Sequence, residues 1–127
     1  MTDRSTIEAR LQELYAARVR GDKLAVCACF CDDAVLHFAG ASGNNPIAVG
    51  ASGAVEFRQL LSLMVKSFTL SEFTTLATLI DGARAAVHWR ARIHSRITGS
   101  SVLTEFMDMF EVREGRIASY TEFFAPR

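Results

Sequence analysis

Residues Ala86–Val112 read AVHWRARIHSRITGSSVLTEFMDMFEV. Side chains alternate in character on both sides of Gly99-Ser100, the period of two that marks paired strands around a turn. A two-residue loop at Gly99-Ser100 would set Thr98 against Ser101, Ile93 against Phe106, Ala91 against Asp108 and Trp89 against Phe110. One face then carries Trp89, Ala91, Ile93, Phe106 and Phe110. The other carries His88, Arg90, Arg92, His94 and Arg96 opposite Glu111, Met109, Met107, Glu105 and Leu103, with favourable pairs expected at His94–Glu105 and His88–Glu111. The first face calls for a cover of helices, and it holds one acid, Asp108. A carboxylate among phenylalanines is costly unless bonded, paired or protonated. It is therefore either an Asp tied to a nearby polar group or a carboxyl group of raised proton affinity, suited to hydrogen-bond donation or acid/base work.

Downstream, Glu114-Gly115 marks a second hairpin whose register is open by one residue. A two-residue turn sends Ile117, Ser119, Thr121 and Phe123 inward. A three-residue loop with Gly115 left-handed sends Ala118, Tyr120, Glu122 and Phe124 inward, with Phe106 opposite Glu122 and Asp108 diagonal to it. Upstream, Asp81-Gly82 is a further turn, so four strands are expected from Thr69 onward.

The N-terminal half has the helical period instead. Ser5 and Glu8 have the spacing of a capping box, and Ile7, Leu11, Leu14, Tyr15 and Val19 recur on one face. Gly21 ends that helix, and Asp22 caps a second one carrying Leu24, Val26, Cys27 and Phe30. Asp32-Asp33 is read as its end and Val35 to Ala39 as a short strand. Residues 40–53, GASGNNPIAVGASG, read as a loop of the kind that often forms a lid. A third helix follows, with Phe57, Leu60, Leu61 and Met64 at helical spacing. The expected fold class is α+β, three N-terminal helices packed on a curved antiparallel sheet within one domain spanning residues 1–127.

Composition narrows the function. The chain has 127 residues, half of them hydrophobic, with 14 basic against 14 acidic side chains. Such a balance gives no field to draw nucleic acid or an anionic membrane. No run reaches the roughly 18 apolar residues of a membrane span, and the polar start MTDRSTIEAR does not read as a secretory signal. Cys27, Cys29 and Cys31 lack metal or disulfide spacing and read as small hydrophobes on a helix, in a reducing cytoplasm. Phosphate-loop, dinucleotide and metal-ligand patterns are missing, so no cofactor is expected.

LYAARVRGDKLAVCACFCDDAVLHFAG resembles the opening of SnoaL-like and ketosteroid-isomerase-like members of the nuclear transport factor 2-like superfamily. DMFEVREGRIASYTEFF resembles their last hairpin. The resemblance implies a conical fold with a deep pocket, paired through sheets as a homodimer. It also implies three groups used by the steroid isomerases: a helix tyrosine, an aspartate base on the first strand and a protonated aspartate in the later sheet. The last falls on Asp108. The tyrosine position falls on Leu14, with Tyr15 one residue and ~100° of helix away, and the base position falls on Phe38, which cannot abstract a proton. Steroid isomerisation by that route is therefore not expected. The alignment turns Glu122 inward and favours the three-residue loop, although this hairpin is one residue shorter than in the isomerases.

The candidate catalytic residues are Asp108, Glu122 and His37, the histidine being suited to proton transfer near neutrality. The candidate pocket residues are Tyr15, Phe38, Trp89, Phe106, Phe110, Tyr120 and Phe124, around a small apolar ligand. The row Arg90, Arg92, Arg96 reads as a solvated or interface face, and the outer sheet face around Arg92, His94, Met107 and Met109 is the expected dimer surface. Two functions compete. One is a cofactor-independent isomerase, cyclase or dehydratase acting on a small apolar carbonyl or polyketide-like compound. The other is a non-catalytic ligand-binding or dimerisation module. Two interacting acids would favour the enzyme, and one isolated acid the module.

Overall fold

The computed structural model describes residues 3–40, 47–52 and 54–126, with side chains described over 3–38 and 58–125. Helix α1 spans Arg4–Arg20, α2 Lys23–Ala28 and α3 Ala54–Ser67. The strands are β1 (Phe30–Gly40), β2 (Ile47–Ser52), β3 (Phe68–Asp81), β4 (Arg84–Ser95), β5 (Ser101–Arg113) and β6 (Arg116–Pro126). They form one sheet in the order β2-β1-β6-β5-β4-β3. The fold is α+β as expected, with two corrections. Strands β1 and β2 precede α3, so the helices are not all N-terminal, and β1 runs parallel to β6, so the sheet is mixed.

Local chemistry explains most boundaries. The cap of α1 is Asp3, whose side chain accepts from the Thr6 amide, and not the expected Ser5–Glu8 box; Ser5 instead donates its hydroxyl to Asp3. Gly21, at φ 72°, ends α1 with its amide on the Arg18 carbonyl and the Asp22 amide on that of Ala17. This double closure satisfies carbonyls the helix leaves open. Asp22 caps α2 through the Ala25 amide. The stripe Ile7, Leu11, Leu14, Tyr15, Ala17 and Arg18 is buried, at the spacing of one helix face.

The reading of residues 22–53 changes more. Helix α2 stops at Ala28, so Phe30 and Cys31 belong to β1, and Asp32-Asp33 forms an irregularity inside that strand. Asp33 pairs with Arg113, and Asp32 lies 3.4 Å from Arg58 and 3.6 Å from Arg116. Cys27 is on α2, Cys29 just beyond it and Cys31 on β1, all three as free thiols. Within the expected loop, residues 47–52 are strand β2, antiparallel to β1; residues 41–46 and 53 lie outside the described residues.

Both later hairpins differ from expectation in ways that keep the faces. Between β4 and β5 the loop is five residues, 96–100, because Ser95 Oγ accepts from the amides of Ile97 and Thr98, while the Gly99 amide bonds Ser95 O. Trp89 therefore opposes Phe106, Val87 opposes Asp108, and Ala91 opposes Thr104. Compared with the two-residue loop the register moves by four. An even shift leaves every side chain on its face, so Asp108 stays with Trp89, Phe106 and Phe110. The expected cross-strand charge pairs are lost. His88 sits opposite Met107 and contacts Glu105 at 3.2 Å, and His94 contacts Ser101.

The last hairpin combines both alternatives. Arg113 pairs with Arg116 around a two-residue turn, Glu114 at φ 52° and Gly115 at φ 78°, the left-handed pair such tight hairpins require. The ladder then shifts, Val112 opposing Ile117 but Glu111 opposing Ser119. The extra residue, Ala118, is a β-bulge that lets Ile117 and Tyr120 both be buried. Downstream, Phe110 faces Tyr120, Asp108 faces Glu122 directly and Phe106 faces Phe124.

Candidate active site

Asp108 lies at the middle of β5 with no exposed surface, between Val87 on β4 and Glu122 on β6. Three polar groups converge on its Oδ2: Tyr15 Oη at 2.5 Å, Trp89 Nε1 at 2.7 Å and Tyr120 Oη at 2.9 Å. Oδ1 is buried and has no partner among the described residues. Glu122, also buried, is held by Arg18 Nη1 at 2.8 Å and by Tyr120 Oη at 2.5 Å. The same Arg18 nitrogen donates to Tyr120 Oη at 2.9 Å, and its guanidinium lies 5.1 Å from the centre of the Trp89 ring.

The enclosure thus holds one cation and two carboxyl groups. Arg18 can neutralise one of them, and geometry assigns that one as Glu122. The remaining charge is not tolerated in a dry site. Burial, and then the neighbouring charge of Glu122, push Asp108 well above the usual carboxylate range, outweighing the opposite pull of Arg18, Tyr15 and Trp89. The phenols of Tyr15 and Tyr120 are raised too, by burial first, and stay neutral donors. Arg18 stays charged: burial opposes its charge, but Tyr120, Glu122 and Asp108 together outweigh that.

Proton positions follow from counting. Tyr120 has one hydrogen, and the shorter contact gives it to Glu122. Tyr15 and Trp89 donate to Asp108 Oδ2, and Oδ1 is left without a partner among the described residues.

The expected residues fall into three groups. Asp108, Glu122, Tyr15 and Tyr120 share this network, and Trp89 joins it through its indole N–H. Phe106, Phe110, Phe38 and Phe124 pack around it: Phe106 stacks on Trp89 at 3.8 Å, Phe110 meets Tyr120 edge-on at 4.9 Å, Phe38 lies 5.9 Å from Tyr120, and Phe124 lies 6.4 Å from Phe106. These rings fill space against one another, and Trp89, Phe106 and Phe110 are buried. His37 is the third case. It is exposed, paired along the strand with Thr121 and Gly50, and one residue from the half-buried Phe38. Alternation puts it on the face opposite Asp108, which removes it from this site.

Arg18 was not singled out from the sequence, nor was Phe73, whose ring lies 5.4 Å from both Tyr15 and Trp89. The sign for Arg18 was present: it falls four residues after Leu14 and three after Tyr15, so a charge sits on the apolar face of α1. Among the described residues, no three His, Cys, Asp or Glu side chains converge to hold a metal ion, and no helix is long and apolar enough to cross a membrane.

A helix-covered mixed sheet around a buried acid network defines the class: an α+β fold of the nuclear transport factor 2-like type. The chain belongs to the SnoaL-like domain family, whose sequence profile matches residues 11–120. Solved structures of the same fold include a provisionally named isomerase from Bacillus subtilis, at 19% identity and TM-score 0.81, covering 98% of this chain and 90% of that one. A nuclear transport factor 2-like protein from Burkholderia xenovorans is similar at 19% identity and TM-score 0.73, over 98% and 93% of the two chains. An LEH-like epoxide hydrolase of M. tuberculosis is similar at 19% identity and TM-score 0.71, over 95% and 84%. No curated protein matches by sequence. At these identities the likeness carries the fold alone.

Proposed function

We propose that the chain is a cofactor-independent acid/base enzyme of isomerase, cyclase or dehydratase type, acting on a small apolar carbonyl or polyketide-like compound. The observation that carries this is the pair of buried acids facing each other across β5 and β6, Glu122 paired with Arg18 and Asp108 with its Oδ1 unpartnered among the described residues. Protonated Asp108 donates a hydrogen bond to the substrate carbonyl and keeps its proton while negative charge develops on the oxygen. Glu122 takes the proton from the carbon next to the carbonyl and returns it to the product, so the proton count is unchanged over a turnover. Tyr15, Trp89 and Tyr120 hold the two carboxyls in place. The free state of Cys27, Cys29 and Cys31 supports a cytoplasmic setting. Exposed Met107, Met109 and Phe123 on the outer sheet face support a homodimer through that face.

The test is exchange of α-protons in deuterated water across a panel of small cyclic and aromatic ketones, followed by NMR. Asp108→Asn and Glu122→Gln should each lower exchange by at least a hundredfold without unfolding the chain. Exchange by the wild type no faster than by both variants, on every ketone, would leave the non-catalytic binding module as the better reading.

A further inference from the structure

The acid network is closed from solvent, and the structure offers one route to it that the function above does not use. A cleft of about 920 Å³ lies between α1 and β3, within the range of small-molecule sites. Its floor includes Leu11, Tyr15, Phe73 and Val87. Two of these border Asp108 directly: Tyr15 bonds it at 2.5 Å, and Val87 is its partner across the β4–β5 ladder. Thr75, Thr78 and Gln12 add polar groups to the wall, Glu8 and Arg20 add charged ones, and Arg4 reaches across one end to the Ile80 carbonyl at 3.4 Å.

Phe73 is the side chain in the way. It packs on Tyr15 and on Trp89, and its backbone is released from the sheet: the β3–β4 ladder skips from Ser71 to Thr74. Glu72, beside it, adopts φ 52°, a left-handed conformation that is strained for a side-chain-bearing residue. Arg92 holds that strained residue through a 2.5 Å ion pair. A bulge free of ladder bonds can turn its ring outward without breaking the sheet.

We infer that the cleft between α1 and β3 binds a small apolar ketone, and that Phe73 is the gate through which its carbonyl reaches Asp108. The inference rests on the acid reading of the Asp108 network for its chemistry, but not for its location. A ketone fits better than a peptide or a second copy of this chain because a hydrogen-bonded acid lies directly behind Tyr15 and Val87 of the floor, which no side-chain stripe would exploit.

The probe is 2-acetylnaphthalene, titrated into the full chain with methyl NMR detection. Saturable shifts at Leu11, Val19 and Val87 are expected. Ala16→Trp, which fills the cleft from the exposed side of α1, should weaken binding at least tenfold, whereas Leu63→Trp on α3 should leave it within twofold. Phe73→Ala should raise acrylamide quenching of Trp89, the single tryptophan, several-fold. Shifts confined to other surfaces, equal affinity in Ala16→Trp, or no binding at all would each overturn the proposal. Titration of the Asp108 carboxyl in the ligand-free protein reports the acid reading separately. A normal value there with binding intact in the cleft removes the chemistry and keeps the site; a raised value with no cleft binding removes the site alone.

Discussion

Asp108 is surrounded by donors and is still better off protonated, and this balance has a measurable sign. Its raised proton affinity means folding penalises the charged form. The penalty is absent below the unfolded value of about 3.9, grows as pH rises through it, and levels off above the folded value. Asp108→Asn removes the ionisation and keeps an acceptor for Tyr15 and Trp89, so it should be more stable than the wild type near neutrality. The gap should close on acidification. Urea midpoints of both proteins between pH 3 and 8 check this, and parallel curves would show an ordinary, charged Asp. Arg18 gives a second prediction. Arg18→Met strands the buried Glu122 and should cost about 3–5 kcal/mol, whereas adding Glu122→Leu should recover most of the loss. Equal stability of the single and double variants would mean that Arg18 acts mainly through its packing on Trp89.

At the scale of elements, the tight turn before β6 and the bulge behind it decide which acids meet. Gly115 docks on α1, its carbonyl accepting from Arg10 Nε at 2.7 Å. A Cβ placed there would sit 3.6 Å from Thr6 Cγ2, an ordinary contact, so the cost of Gly115→Ala is the left-handed backbone alone. That cost is about 1–2 kcal/mol, read as a drop in denaturation midpoint. A loss well beyond this would mean the α1 contact had been disturbed as well. The bulge at Ala118 could not be seen in the sequence, because alanine is compatible with regular strand and bulge alike. Residue alternation offered two registers, and the sheet uses the turn of one and the faces of the other. The hairpin at Gly99 shows the reverse. Its loop is five residues where two were expected and its register differs by four, yet its faces were legible, because only an odd shift exchanges them.

For the whole molecule, the outer sheet face is where exposed apolar side chains of neighbouring strands adjoin. Met107 opposes Phe123 on neighbouring strands, Met109 lies two residues along, and all three are exposed. If this face joins two copies, Met107→Lys combined with Phe123→Asp should halve the mass measured by light scattering at micromolar concentration. A wild type that is monomeric under those conditions would rule the interface out.

The sequence by itself determined the period of each element, the side of the sheet on which Asp108 stands, and the apolar company it keeps. These depend on alternation and helical spacing, which are local and survive errors in loop length. Tertiary structure alone decided that β2 forms within the glycine-rich stretch, that β1 runs beside β6, and that Tyr15 is the tyrosine that reaches Asp108. It also set Arg18 against Glu122. The last three of these depend on the meeting of segments more than 80 residues apart, and β2 depends on ladder bonds to β1 that strand and helix periods do not encode.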